Sequence, residues 1–479
     1  MKKTDLLLII PHQPDSAGLL REPAGITQPL GAGYIAAYLE SKGLSAAILD
    51  NSIELLDGPA FKERLTGFSP AAVGFTVCTS SHNTALHLAG LVKETDPSIT
   101  VIMGGVQPSA LPHKLLEDKN VDIVVRGEGE ETSYELITAL KSGTDLSRIN
   151  GIVFREGPRM TGTPPRKLIE DLDSLPFPAH HLMPMGKYEL PASRRLTTKP
   201  AASLATSRGC PYKCRFCSHN SVFGGKVRLR SPQNVMAEIK LLAERYGVGE
   251  LLLWDDSFLL DKNRAVEICR LIRESGLDLT WSCSSRADHI TPGLAVTLRE
   301  AGCRMILFGV ESGSETVLAS INKGTRLEQI RNAVKACRDA GILSFCSFIL
   351  GTPGETEETI RETKAFLKEL DPDFVIFCIF APLPGSFFFD EFLKAGRLDL
   401  NAIDWDRYIN LLSNRPPLMA AGALSGARLT ALQKELFRDF YFRASYVWRR
   451  LKLLRTAQQL RQNLRGFKTL LKLQFQRFQ

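Results

Sequence analysis

Ser207-Arg208-Gly209-Cys210-Pro211-Tyr212-Lys213-Cys214-Arg215-Phe216-Cys217 carries three cysteines in one short run, spaced three and two residues apart. An aromatic residue stands directly before the last of them. The spacing lets three thiolates converge on one small inorganic centre while a fourth coordination position stays open. Close-set thiolates imply iron–sulfur or zinc. A structural zinc site closes its shell with a fourth Cys or His, and His219 stands too near Cys217 in sequence for a usual zinc partner. The reading is a site-differentiated iron–sulfur cluster; a zinc knuckle and inert buried thiols are the alternatives.

This CxxxCxxC pattern, with Phe216 before Cys217, resembles the signature of the radical S-adenosylmethionine (SAM) enzymes. The resemblance implies a 4Fe-4S cluster on Cys210, Cys214 and Cys217, with SAM beside Phe216 at the remaining iron.

Length and composition bound what else is present. A chain of 479 residues implies about three domains. The first ten residues hold a short apolar run cut by Asp5, which reads as a strand and not a signal peptide. No apolar run approaches the roughly 18 residues of a membrane span. Ten cysteines in so long a chain do not form a disulfide framework, and a reduced cytoplasm is the expected home. The net charge of +8 is unevenly placed. Residues 428–479 hold 13 Lys/Arg against 2 Asp/Glu, or +11, so the rest of the chain carries −3.

Residues 1–150 alternate short apolar runs (6–10, 46–49, 72–76, 100–103, 122–125) with helical stretches, the first at 29–41 and stopped by Gly43. That alternation predicts a parallel sheet covered on both faces, with ligands at the carboxyl ends of its strands. The candidate loops are 76–81, 103–106 and 126–130. No GxGxxG occurs, which argues against a dinucleotide. Pro29-Leu30-Gly31, Asp50, Gly104-Gly105 and the GEGE run at 127–130 together resemble the Rossmann-like cobalamin-binding domain that precedes many radical SAM cores. On that resemblance Leu30, Gly31, Thr76, Gly104 and Gly105 hold cobalamin. The DxHxxG motif that supplies a histidine to cobalt in other cobalamin proteins is missing, so His82 and His87 are read as ordinary helix residues.

Residues 151–200 read as a connector, stiffened by Pro164-Pro165 and by Pro176 and Pro178. Residues 201–400 show six apolar strands, at 203–206, 251–254, 279–283, 305–310, 343–350 and 374–379. Glycines 247, 276, 302 and 341 each end a helix before the next strand, and Ser231-Pro232 opens the first. Six consecutive β/α units make a partial (β/α)6 barrel of TIM type, with chemistry at the carboxyl ends of the strands. Asp255-Asp256, Ser284-Ser285-Arg286, Glu311 and Gly351 mark those ends. The resemblance implies SAM-binding roles for Phe216, Asp255, Asp256, Arg286, Glu311 and Gly351. In this family the segment after the second strand is usually a GGE-like motif; here it is Asp255-Asp256-Ser257-Phe258. Cys269, Cys303, Cys337, Cys346 and Cys378 read as small core residues.

Residues 401–479 form a helical, basic region. Its first part reads as a cap on the barrel, and the remainder suits peripheral contact with an anionic membrane. No nucleic-acid-binding module is present.

The resemblance implies SAM cleavage to a 5′-deoxyadenosyl radical, a flavodoxin- or ferredoxin-type reductant, and cobalamin-dependent methylation of an unactivated carbon in a small-molecule or lipid substrate. Oxidative cyclisation or ring rearrangement is the alternative chemistry, and a non-catalytic metal-binding scaffold the alternative of another class.

Overall fold

Leucine-, isoleucine- and valine-rich runs alternate with amphipathic stretches, and they fold as sheets buried on both faces. A computed structural model describes residues 4–13, 25–191, 193–408 and 416–452. The first sheet comprises β1 (Thr4–Ile10), β2 (Ala46–Asp50), β3 (Pro70–Thr76), β4 (Thr100–Gly104) and β5 (Ile123–Val125), all parallel. An antiparallel hairpin, β6 (Ile152–Glu156) and β7 (Arg159–Gly162), extends it past residue 150. The order β2-β1-β3-β4-β5-β6-β7 reverses between β1 and β3, which opens a crevice at their carboxyl ends.

The second sheet comprises β8 (Ala201–Leu204), then, after a short hairpin of β9 (Ser207–Arg208) and β10 (Arg228–Leu229), β11 (Glu250–Leu253), β12 (Thr280–Ser285), β13 (Cys303–Glu311), β14 (Leu343–Leu350) and β15 (Phe374–Ile379). Its six strands are parallel, in the order β15-β14-β13-β12-β11-β8. Three expected boundaries move. β8 ends at Leu204 because Thr206 turns its N–H to the Asp255 carboxylate, at 2.9 Å. Ser284 and Ser285 lie within β12, and Glu311 ends β13 in a left-handed conformation, φ 68°. The first barrel helix, Pro232–Tyr246, is capped by the Ser231 hydroxyl, which accepts from Asn234 N at 3.1 Å. Gly247 ends it in the left-handed conformation.

The connector is packed in place. Gln28 donates to Ala201 O and accepts from Ser203 N, and Tyr188 donates to Asp50 at 3.0 Å. A buried chain runs from His180 through Glu238 and Arg230 to Tyr34 on the first helix, Leu30–Ser41.

The two sheets meet at a buried cluster of charge. Arg208 donates to Glu128 and Glu130, each at 2.6 Å. Arg228 donates to the other oxygen of Glu128 at 2.6 Å, and Ile169 N adds 2.9 Å. Both glutamates come from the loop after β5, and both arginines from the β9–β10 hairpin that carries the cysteines.

Helix Gly426–Tyr441 closes the barrel, with Leu429, Leu432 and Leu436 buried in its core. Gln433 donates to Phe377 O at 2.6 Å, and the Tyr441 hydroxyl donates to Val375 O and accepts from Val375 N. In helix Ala444–Lys452 the Arg449 guanidinium pairs with Asp371 at 2.6 Å, so this basic residue has a structural partner. Residues 453–479, on which the membrane-contact expectation falls, lie outside the described residues; among the described residues no helix is long and apolar enough to cross a membrane.

Replacing Leu432 with Ala removes a fully buried side chain and should cost about 2–5 kcal/mol by chemical denaturation. Arg208→Ala strands the buried Glu130 carboxylate and one oxygen of Glu128, and should cost about 3–5 kcal/mol by the same measurement. Arg208→Lys, a point charge that cannot bridge both acids in one plane, should recover only part of that loss.

Candidate functional site

The cysteine run enters the site through a bend that only glycine can make. Gly209 sits at φ 96°, and a Cβ there would stand 2.1 Å from Lys226 O. The loop is then strapped to the end of the short helix Glu315–Ser320 that follows β13. Arg215 N donates to Ile321 O at 2.9 Å, Asn322 Nδ2 to Lys213 O at 2.8 Å, and Arg215 Nη1 to Ser320 O at 3.1 Å. Phe216 packs half-buried against the barrel core beneath the Lys323 ammonium.

The thiols stand close enough for Cys214 to raise the pKa of Cys210, and for Cys210 and Cys214 together to raise that of Cys217. Burial is the larger cause, and at Cys217 it pushes the thiol up to about 11, although the residue is open to solvent along one side. Lys323 and Arg286 act in the opposite direction on Cys214. Thiols held protonated in this way become ligands only when a metal displaces their protons. Among the described residues, no three His, Cys, Asp or Glu side chains converge on a single-ion position. A cubane places its three thiolates on three different irons, so its ligands stand farther apart than those of one zinc ion. The donor set and its open fourth side fit a 4Fe-4S cluster.

The strand-end polar residues divide by what they already bind. Asp255 is buried and accepts from Thr206 N, Thr206 Oγ1 and Ser207 Oγ, which fixes the start of the cysteine loop; burial raises its pKa. Arg286 donates to Asp288 and Lys323 O, with its guanidinium 3.7 Å from the Tyr212 ring centroid. Glu311 accepts from Lys323 at 2.7 Å. Gly351 stands at φ 86° at the end of β14, its N–H held by the Glu355 carboxylate. Asp256 stays half-exposed, with His219 Nε2 2.7 Å from its Oδ2 at an angle outside hydrogen-bond geometry.

A cavity of about 500 Å³ lies between the two sheets. Leu30, Gly31, Thr76, Gly104 and Gly105 line it from the first sheet; Ser207, His219, Trp254, Asp255 and Asp256 line it from the barrel. A Cβ on Gly31 would meet nothing within 4 Å, and one on Gly104 only Val125 at 3.9 Å, so bare backbone faces the open space. Gly105, at φ 118°, has its Cα against Val77, where a Cβ would stand 2.6 Å from the carbonyl oxygen. Backbone exposed at a strand-order reversal, above an apolar floor of Leu6, Leu8 and Ile102, fits a large planar cofactor such as cobalamin. Asp50 is not in the lining: its carboxylate caps the turn at Ser52 and accepts from Tyr188. Glu128 and Glu130 line the cavity with both carboxylates held by Arg208 and Arg228. His82 stacks on Trp405, and burial lowers its pKa to about 4, which suits a neutral packing residue.

Two features escape a reading of the sequence. Tyr212, inside the cysteine run, shares its hydroxyl with His289 Nε2 at 2.7 Å, and His289 Nδ1 reaches Ser257 at 3.0 Å, linking three strand ends. Arg194 and Trp254 meet across the cavity wall. The strand alternation signals Trp254; nothing local singles out Arg194.

Comparison with known proteins agrees with this arrangement. The model of the radical SAM superfamily matches residues 204–367, and that of the B12 binding domain matches residues 17–137. An uncharacterized methyltransferase of Pyrococcus horikoshii is 33% identical over 444 residues, covering 92% of this chain and 94% of its own. The anaerobic magnesium-protoporphyrin IX monomethyl ester cyclase of Rubrivivax gelatinosus is 29% identical over 436 residues, 89% of this chain and 76% of its own. The structure of the cobalamin-dependent S-adenosylmethionine radical enzyme OxsB, with aqua-cobalamin and S-adenosylmethionine bound, superposes with a TM-score of 0.74 at 18% identity. It covers 97% of this chain and 71% of that one, and shares its fold. With both domain models matched in order, a full-length relative at this identity, and a cofactor-sized chamber next to the loop that carries the thiol triad, the chain belongs to the cobalamin-dependent radical SAM enzymes.

Proposed function

We propose that this enzyme transfers a methyl group derived from SAM to a carbon atom of a small molecule held between its two sheets. The observation that carries the reading is the continuity of the cavity, which runs from the glycine loops of the first sheet to Asp256 and His219 beside the cysteine run. One space therefore runs from the proposed cobalamin cradle to the residues that flank the cysteine run. The Pyrococcus horikoshii relative, a methyltransferase by name, supports the same chemistry. When bound, the cluster and SAM supply a 5′-deoxyadenosyl radical, and cobalamin a carrier for the methyl group.

The chain's own residues position and exclude. Cys210, Cys214 and Cys217 hold the cluster. Asp256, the acid of the Asp255-Asp256 pair that keeps an open side, faces the SAM ammonium. Asp255, Arg286 and Glu311 act from behind, through the partners they already hold, on the cysteine loop and on Lys323. The Gly351 turn and Phe216 pack against the nucleoside end. The Leu30, Gly31, Thr76, Gly104 and Gly105 backbone cradles the corrin. Apolar walls keep water from the radical. A flavodoxin- or ferredoxin-type protein delivers the electron.

Oxidative cyclisation is the second reading, supported by the likeness to the Rubrivivax gelatinosus cyclase. Anaerobically reconstituted holoenzyme, given reductant, methyl-labelled SAM and an extract of cells lacking the enzyme, separates the two. Methyl transfer predicts 5′-deoxyadenosine, S-adenosylhomocysteine and a labelled product together. 5′-Deoxyadenosine with an unlabelled product favours cyclisation. Any one of Cys210→Ala, Cys214→Ala or Cys217→Ala should lose cluster absorbance and lower SAM cleavage by about a hundredfold or more.

The Gly351 turn also carries a pH dependence. Burial raises the Glu355 carboxyl from its ordinary 4.5 to about 7, against the hydrogen bond from Gly351 N. A carboxyl raised on folding stabilises fully below its unfolded pKa, and the contribution fades as pH rises through about 7. Glu355→Gln removes this dependence. The variant's unfolding free energy relative to wild type should therefore climb between pH 5 and pH 8, by roughly 3 kcal/mol in total.

A further inference from the structure

Two adjacent connector arginines have opposite fates. Arg195 is fully engaged: it donates to Thr197 O at 2.9 Å and Lys199 O at 2.5 Å, and lies 3.8 Å from Glu250. Arg194 turns into the cavity. Among the described residues its guanidinium has neither a carboxylate within ion-pair distance nor a hydrogen-bond acceptor. It stands 5.5 Å from the Trp254 ring centroid and 6.0 Å from that of Phe345. The other arginines near the site each meet a carboxylate or backbone carbonyls: Arg208 and Arg228 pair with Glu128, Arg230 with Glu238, Arg264 with carbonyl oxygens, and Arg286 with Asp288.

Arg194 is partly shielded from water, and a guanidinium shielded without a partner costs free energy. Burial lowers the Arg194 pKa, and no acid opposes that shift. Two aromatic faces offset part of that cost by cation–π attraction and take no conventional hydrogen bond. The walls around it are apolar and unfilled. Trp254 is 51% exposed although it directly follows a buried strand. On β14 the face shared by Phe345, Ser347 and Ile349 keeps its last two residues half-exposed, while Cys346, Phe348 and Leu350 on the other face are buried. A planar, five-donor cation between aromatic rings, opening onto an apolar chamber, is the receptor for a carboxylate or phosphate joined to an apolar body.

We propose that Arg194 anchors an anionic group of the substrate, so that the molecule acted on is a carboxylate or phosphate whose apolar or aromatic portion lies along the exposed Trp254. The inference rests on reading the cavity as the substrate chamber. SAM carries a carboxylate and cobalamin a phosphodiester, so the test must separate three sources of the same chemistry.

Wild-type, Arg194→Ala and Arg194→Lys holoenzymes, prepared anaerobically, would be compared in three measurements. The first is equilibrium dialysis of labelled SAM together with cobalamin content; all three proteins should agree within about twofold. A loss of about tenfold in either for Arg194→Ala assigns the arginine to that cofactor and overturns the proposal. In the second, each protein is incubated with cell extract without reductant, washed by ultrafiltration, and its retained small molecules are identified by mass spectrometry. Wild type should retain carboxylates or phosphates at least about tenfold above Arg194→Ala, with Arg194→Lys between. Equal retention by wild type and Arg194→Ala overturns the proposal. The third is anion exchange of the labelled product from the turnover assay. An anionic product lost with Arg194→Ala supports the anchor, and a neutral or cationic product overturns it. If anions are retained through Arg194 but no label is transferred, methyl transfer fails while the anchor stands.

Discussion

One carboxylate holds the two halves of the molecule in register. Glu128 accepts from Arg208 with one oxygen and from Arg228 with the other, and it is buried together with Arg228. Buried ion pairs repay their desolvation only when the geometry is good and the remaining polar atoms find partners. Here Glu130 takes the second arm of Arg208, and Ile169 N shares an oxygen of Glu128. The network is therefore better at fixing one arrangement than at adding stability. The arrangement it fixes is the placement of the cysteine hairpin against the first sheet's strand-end loops. Since Arg208 immediately precedes Gly209 and the cysteines, an error at the clamp becomes an error at the cluster.

The same economy governs the strand ends of the barrel. A strand-end acid in such a barrel can meet a ligand or brace the loop beside it, and the Asp255-Asp256 pair divides the two tasks. Asp255 is enclosed by Thr206 and Ser207, whereas Asp256 keeps an open side. Glu311, with its positive φ, shows the same pattern: a strained backbone turns its carboxylate onto Lys323, which in turn stands over Phe216 and acts on Cys214. Preorganisation of this sort needs layers of support behind the groups that touch ligand.

Much of this was legible in the chain. The cysteine spacing carries its own geometry, and the alternation of apolar strands with glycine-terminated helices describes the parallel strands of both sheets to within a few residues, though not the antiparallel β6–β7 hairpin. What escaped was decided by partners distant in sequence. The first barrel strand is shifted because Thr206 prefers a carboxylate 49 positions away to the sheet ladder. Asp50, which the sequence offers only as part of the cobalamin-domain resemblance, proves to be covered by Tyr188. The glutamates of the GEGE run read as ligand-binding until Arg208 and Arg228 claim them. Arg194 and Arg195 are indistinguishable in sequence, and only the fold shows that one of them lacks a partner.

The closing helix has one more effect. β15 is the last strand of its sheet, and the backbone groups on its outer side would ordinarily await a neighbour. Side chains meet them instead: Tyr441 occupies both the donor and the acceptor of Val375, and Gln433 takes Phe377 O. A strand from a second molecule finds these positions already filled, so the sheet cannot pair through them at its β15 edge. A phenol and a carboxamide thus act as a terminator of sheet growth, protecting an apolar strand from templating its own aggregation.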